Sequence, residues 1–228
     1  QGRRMELTVE GRELVARAQP VLDALDDIVV FPEHPSAARG TIRMGVGELV
    51  AATWFGKLMA KLRQVMPGVN YQVQVGLTVD MRHRLETGLL DVAILAAPVD
   101  SPQLVGTPIG GVDLLWLTGG PAPAAARGRR LGPRELLESS AIWCVAPPSQ
   151  MHMYLAETLR QWEVQPRKMN TSDSVRSLVE AVSRGAGVGL LPDCMVREQM
   201  RAGQLRLLSP QLPPQHMEFV VARRREQG

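Results

Sequence analysis

A chain of 228 residues, 45% of them hydrophobic, can bury a core as one domain or as two small lobes, which excludes global disorder. With 26 Lys and Arg against 23 Asp and Glu, the formal charge is +3 and the sequence pI about 9.2, only mildly basic, and no long basic tract or aromatic platform suggests a strong nucleic-acid surface. Two cysteines, a start without an apolar leader and apolar runs no longer than strands exclude a disulfide scaffold and a membrane span, and imply a folded protein of the cytoplasm.

The first segment, RRMELTVEGRELVARAQPVLDALDDI, reads as a helix before any strand has appeared. Leu7, Leu14, Ala18, Val21, Leu25 and Ile28 recur at helical spacing and form one apolar seam, with Thr8 placed to cap it and Pro20 placed to kink or divide it. The seam either packs on its own domain or pairs with another chain as a coiled-coil-like dimerisation helix. FPEHPSAARG then has linker composition, so residues 1–39 form a front segment. TIRMGVG reads as a buried strand, and Trp54 to Met66 as a helix with Phe55, Leu58, Met59 and Leu62 on a broad apolar face, stopped by Pro67 and Gly68. In NYQVQVG, Asn70, Gln72 and Gln74 share one face, the mark of an edge or partly covered strand. Thr78 or Asp80 can cap the next helix, which carries Met81 and Leu85 and ends at Gly88 before the strand LLDVAIL.

DLLWLTG is a further strand. A Pro/Ala/Gly loop follows, with Arg127, Arg129, Arg130 and Arg134, read as a solvated surface with phosphate binding as the minor alternative. The helix PRELLES, the strand AIWCVA, a helix from Met151 to Trp162, a short strand in RKMNT and a helix from Ser174 to Arg184 come next. GVGLLP, DCMVREQMRAG, LRLL and MEFVVARR complete the order as strand, helix, strand and strand. Helices alternate with strands almost throughout, which predicts an α/β fold with crossovers on mostly parallel sheets, in two lobes interrupted by the arginine-rich loop.

Ligands of such sheets bind beyond the carboxyl ends of the strands, where helix N-termini present unpaired N–H groups. GVGELVAAT, GLTVDM, VAPPSQMHMY and NTSDSV are turns of that kind. Their hydroxyls serve equally well as helix caps, and a cap leaves other N–H groups of the same turn free. Converging helix starts favour a small anion, against which Glu48 and Asp173 act unless they bond to ligand hydroxyls or amines. Ser149, His152 and Asp173 hold the ingredients of a catalytic triad, but no G-x-S-x-G elbow is present and their grouping reads as coincidence. The four histidines are scattered and Cys144 and Cys194 lie far apart, so no metal or other cofactor is expected. GAGVG at Gly185 to Gly189 follows a helix and precedes a strand, the reverse of a dinucleotide fingerprint.

LTVEGRELVARAQPVL, RGTIRMGVG, PGVNYQVQVGLTVDMRHRLETGLLDVAI and LVEAVSRGAGVGLLPD, in this order and spacing over nearly the whole chain, resemble the linker helix and effector domain of LysR-type transcriptional regulators. The resemblance implies a two-lobed, periplasmic-binding-protein-like (type II) fold, with lobe one at 40–118 and 212–228 and lobe two at 119–211. It implies a small organic effector, anionic by preference, between the lobes. Carried over by position, Glu48, Leu49 and Val50 form the first turn of that site, Thr78 and Val79 the second, Pro148, Ser149 and Gln150 the third, and Ser172 and Asp173 the fourth. Glu48 departs from the small polar residue of many members, which weakens the expectation of a simple carboxylate.

The resemblance also implies a homodimer or homotetramer, with Leu14, Ala18, Val21 and Leu25 of the front helix and Trp54, Leu58, Val175 and Val179 of the lobes at the contacts. DNA would be gripped only through a winged helix-turn-helix upstream, of which Arg3 to Leu7 look like the end of the wing, and RNA polymerase is a further partner. The chain is thus expected to sense and assemble, not to catalyse. A free-standing solute-binding protein, or remotely a hydrolase, on the same scaffold is the alternative.

Overall fold

The computed structural model describes residues 18, 20, 21, 35–120 and 131–225. The chain divides into two units, lobe 1 (Gln1–Gly110 with Glu218–Gly228) and lobe 2 (Gly111–Met217).

Lobe 1 opens with a short 3-10 turn, Pro35–Ala37, and strand β1 (Gly40–Val46), followed by helices α1 (Glu48–Ala52) and α2 (Phe55–Val65). Strand β2 (Val69–Val75), helix α3 (Thr78–Glu86) and strand β3 (Val92–Ala96) complete the expected βαβαβ run. β1 pairs in parallel with both β2 and β3, and strand β9 (Gln215–Arg224) closes the lobe antiparallel to β3, giving the order β2-β1-β3-β9. One face of β1 sends Ile42, Met44 and Val46 into the core; the other carries Gly45, where a Cβ would stand 2.6 Å from Leu90 Cδ1, so glycine is what lets α3 and its following turn close down. Met81, Leu85, Leu90, Ala93, Leu95, Leu104, Val220 and Ala222 form the apolar cluster beneath α3. β2 lies at the edge of the sheet, as its polar alternation implied, with Val73 and Val75 exposed.

Lobe 2 takes over the second part of strand β4 (Leu104–Gly119), then helix α4 (Pro133–Ser139), strand β5 (Ala141–Val145), helix α5 (Gln150–Gln161) and strand β6 (Lys168–Ser172). Helix α6 (Val175–Ser183), strand β7 (Val188–Pro192), helix α7 (Asp193–Arg201) and strand β8 (Leu205–Leu207) follow. β5 is parallel to β6 and β7, while β4 runs antiparallel to β7 and carries β8. β7 is buried on both faces, and Gly119 packs directly on the carbonyls of Val182 and Ser183 at the end of α6, where no side chain fits.

The order of elements follows the sequence reading, with two departures in extent. β4 begins at Leu104, well before DLLWLTG, because Leu104, Ile109 and Val112 are buried and their packing overrides the loop-like glycines and proline between them. The lobes divide at 110/111 and 217/218, where expectation put 118/119 and 211/212, because β4 and β9 both run through the division.

The expectation that Leu58 is turned outward is corrected: it is 1% exposed and belongs to the core of lobe 1. Val175 and Val179, each 5% exposed, are core residues of lobe 2, because the wide apolar face of α6 is taken up by the sheet it covers. Trp54 remains half-buried at the start of α2. In the front segment Ala18, Pro20 and Val21 are helical and Val21 is fully buried within the single chain, while Leu14, Leu25 and most of the arginine run lie outside the described residues.

One ion pair ties the start of β3 to β1. Asp91 accepts from the Arg43 backbone N–H at 2.7 Å, from Nε at 3.2 Å and from Nη2 at 2.6 Å, a two-pronged guanidinium contact. Burial pushes the Asp91 carboxyl up, but these bonds and the charge of Arg224 outweigh it and hold the group below the usual carboxylate range. Stability from this pair is therefore complete above the carboxyl's unfolded pKa and is lost as pH falls through the lower folded value. Asp91→Asn is expected to lower the urea midpoint at neutral pH and to flatten the acid limb of the stability profile, read by circular dichroism.

Candidate functional site

Within lobe 1, parallel pairing brings the turns after β1 and β2 to one end of the sheet. Gly47 N–H donates to the Ile94 carbonyl at 3.4 Å and Gly76 N–H to the Val46 carbonyl at 3.1 Å, which ties the two turns to each other and to the end of β3. Glu48 is half-buried in the first turn of α1, whereas Leu49 and Val50 are core side chains, 6% and 0% exposed, able to meet a ligand only through their backbone.

Thr78 does not cap α3, and neither does Asp80. The N-cap is Leu77, which has no hydroxyl, and Thr78 is the first helical residue. Its Oγ1 instead accepts from the Ala96 N–H at 3.3 Å, across to the last residue of β3. No side chain caps the first turn of α3, so its leading N–H groups are left for solvent or ligand, with Thr78 and Val79 half-buried beside them. Sequence reasoning did not find Ala96, whose part is played by its backbone.

Lobe 2 repeats the arrangement. The Ala146 N–H donates to the Ser172 carbonyl at 2.9 Å, which joins the turn after β5 to the turn after β6. Pro148 is exposed, Ser149 caps α5 by accepting from the Met151 N–H at 3.2 Å, and Gln150 is half-buried in the first turn. Ser172 Oγ accepts from the Ser174 N–H at 3.1 Å, and Ser174, not Asp173, caps α6 through the Ser177 N–H at 3.3 Å; Asp173 is exposed. Thr78, Ser149 and Ser172, the three hydroxyls expected in the site, are thus all engaged in the fold. Ser174, the hydroxyl of NTSDSV immediately before the apolar spacing of α6, is a cap of the kind the sequence offered there.

The catalytic grouping does not assemble. His152 Nδ1 lies 3.0 Å from the Val145 carbonyl, which can only accept, so that nitrogen carries the proton; Ser149 Oγ is turned to the helix. Cys144 is buried beside His152, its Sγ 3.6 Å from the Asn170 carbonyl, and burial pushes its thiol up. No group of three or more potential metal ligands occurs, and no helix is long and apolar enough to cross a membrane, among the described residues.

These two lobes, each a parallel-stranded unit with paired ligand-type turns at one sheet end, have the fold of two-lobed effector-binding domains. Residues 35–228 match the LysR substrate binding domain, and the chain belongs to that family. It is 21% identical over 204 residues to the HTH-type transcriptional regulator GltR of Bacillus subtilis (strain 168), covering 90% of this chain and 67% of that one. Among solved structures it is similar to the regulatory domain of CcmR from Synechocystis PCC6803 in complex with 2-PG, with TM-score 0.70, 17% identity, and 83% and 90% of the two chains covered. Full-length LysG from Corynebacterium glutamicum with bound effector Arg gives TM-score 0.65 at 17% identity, covering 95% of this chain and 69% of that one. The chain spans only 61% to 67% of the length of the curated relatives that match more than four fifths of it. It is a regulatory, ligand-binding domain of this family.

Ser149→Ala removes a cap and is expected to cost about 1 kcal/mol of stability, measured by urea denaturation; an undiminished midpoint would show that Met151 finds another acceptor.

Proposed function

We propose that the chain is the effector-sensing and subunit-assembling part of a transcription regulator, and that its effector is a small, acidic organic molecule held by the turns of both lobes. The observation that carries the ligand class is the first turn of α3: uncapped by any side chain, next to a Thr78 hydroxyl that the Ala96 N–H holds in place. A helix start with open N–H groups favours an anionic or strongly accepting group, and the hydroxyl adds a partner whose position is already fixed. The family relationship and the likeness to regulatory domains solved with 2-PG and with Arg support the reading.

Native mass spectrometry of the purified chain, followed by calorimetry with any retained metabolite, tests it. Thr78→Ala is expected to weaken binding by about 1 kcal/mol, roughly fivefold, and by more if the ligand group is charged and buried. Unchanged affinity would remove Thr78 from the site and leave its hydroxyl a tie between α3 and β3.

Assembly is proposed through the outer surface of α2 in lobe 1, with Trp54 the accessible side chain there, and separately through the front segment. In sedimentation velocity, Trp54→Glu is expected to lower the mass of the assembled species while the far-ultraviolet spectrum is kept. Leu58→Glu puts a charge into the core and is expected to unfold lobe 1 instead. A wild-type chain that sediments only as a folded, ligand-competent monomer would count against both contacts.

A further inference from the structure

The end of lobe 1 at which β1 and β3 begin and β9 finishes carries more positive charge than the fold uses. Asp91 stands there, and its carboxylate is taken up by the two-pronged contact with Arg43. Arg224, exposed on β9, reaches over the turn between α3 and β3, with Nη1 3.1 Å from where a Cβ on Gly88 would stand, and its charge acts on the same carboxylate. Gly45, Ala93 and Ala222 lie in one register row beneath α3, and the two-residue period of strands puts Arg43 and Arg224 on that same face. Arg84, exposed near the end of α3, donates to the neutral Gln74 Oε1 at 2.9 Å; Gln74 pairs with Gly45, one same-face step from Arg43. Arg225, also exposed, is pinned at its backbone, where its N–H donates to the Gln103 carbonyl at 2.7 Å. Among the described residues, the other acid of this stretch, Glu86, stands on the opposite flank of α3, one turn from Arg82.

The geometry points to this arginine cluster as a sequence-independent contact for the phosphate backbone of duplex DNA, additional to the reader expected upstream. Guanidinium forks match phosphate oxygens, and Arg84 and Arg224 present theirs at the surface while Asp91 fixes Arg43 behind them; Arg225, next along the chain, adds its charge at the rim. Single-strand stacking would need an aromatic platform, and the aromatic residue of β9, Phe219, is buried and paired with Ala96 at the far end of the sheet. Leu89, exposed between the arginines, is a single apolar side chain and no anchor patch for a protein. The chain also enters β1 at this end, through Gly40, so the cluster faces the side from which the front segment arrives. The inference rests on the reading that the chain works as part of a DNA-bound regulator.

Fluorescence anisotropy of the 228-residue chain with a labelled duplex of arbitrary sequence tests it. Weak binding at low ionic strength is expected, with a slope of log affinity on log salt of about −3, near −0.9 for each phosphate neutralised. The triple change Arg84→Glu, Arg224→Glu and Arg225→Glu is expected to bring that slope close to zero while the far-ultraviolet spectrum and effector affinity stay as in the unaltered chain; the melting temperature falls somewhat, because the charge of Arg224 acts on Asp91. The same charge change in lobe 2, at the exposed Arg167, Lys168 and Arg201 (Arg167→Glu with Lys168→Glu and Arg201→Glu), is expected to keep most of the binding. No binding by the unaltered chain, or equal loss in both sets, overturns the assignment. Binding of a polyglutamate peptide that the first set loses, without any binding of DNA, would give the surface to an acidic protein segment and overturn it as well. Because effector affinity is measured on the same variants, failure here is distinct from failure of the sensing role.

Discussion

A parallel strand can return beside its neighbour only by a crossover, and this constraint organises each lobe. β1 is parallel to β2 and β3, and β5 is parallel to β6 and β7, so every crossover helix in a lobe starts from the same end of its sheet. The turns into α1 and α3, and those into α5 and α6, therefore arrive side by side without any residue being selected to bring them together. Backbone bonds then fix their spacing: Gly76 N–H to Val46 in lobe 1 and Ala146 N–H to Ser172 in lobe 2. The convergence of these turns is a by-product of how parallel strands must be connected.

What such turns can offer depends on how many of their polar groups the fold has already used. Ser149, Ser172 and Ser174 each hold a backbone N–H of their own turn, which stabilises the helix starts and uses one acceptor site of each hydroxyl. α3 differs, because Leu77 stands where a capping hydroxyl would be and Thr78 is tied across to Ala96. Burial of Leu49 and Val50 turns the first turn likewise toward backbone recognition. A site built mainly from main-chain groups selects a ligand by shape and by the position of its acceptors more than by matching side-chain charge.

Much of this was legible in the sequence, for identifiable reasons. Period-2 and period-3.6 spacing located the strands and helices, since Val175, Leu178, Val179 and Val182 can share a face only in a helix. The extent of β4 was not legible, because Gly106, Pro108 and Gly110 signal a turn locally and only the burial of Leu104, Ile109 and Val112 holds the strand together. The outward face of α2 was misjudged at Leu58, because a broad apolar face does not say which of its residues the sheet will cover. The four turns were found as segments, while the roles of Thr78 and Ser174 depended on one-residue differences in where a helix starts. Ala96 carried no signal at all, since what it contributes is an N–H that every residue but proline has.

β4 and β9 both pass from one lobe to the other, so lobe 2 is an insertion within lobe 1. During synthesis the strands of lobe 2 are complete before β9 leaves the ribosome, however much chain follows. Until then β3 lacks one neighbour, and the cluster under α3 lacks Val220 and Ala222. Lobe 2 can therefore close on itself first, while lobe 1 waits with an open strand edge that a chaperone or a neighbouring nascent chain can reach. A regulator built this way gains its sensing half in the reverse of the order in which its residues are encoded.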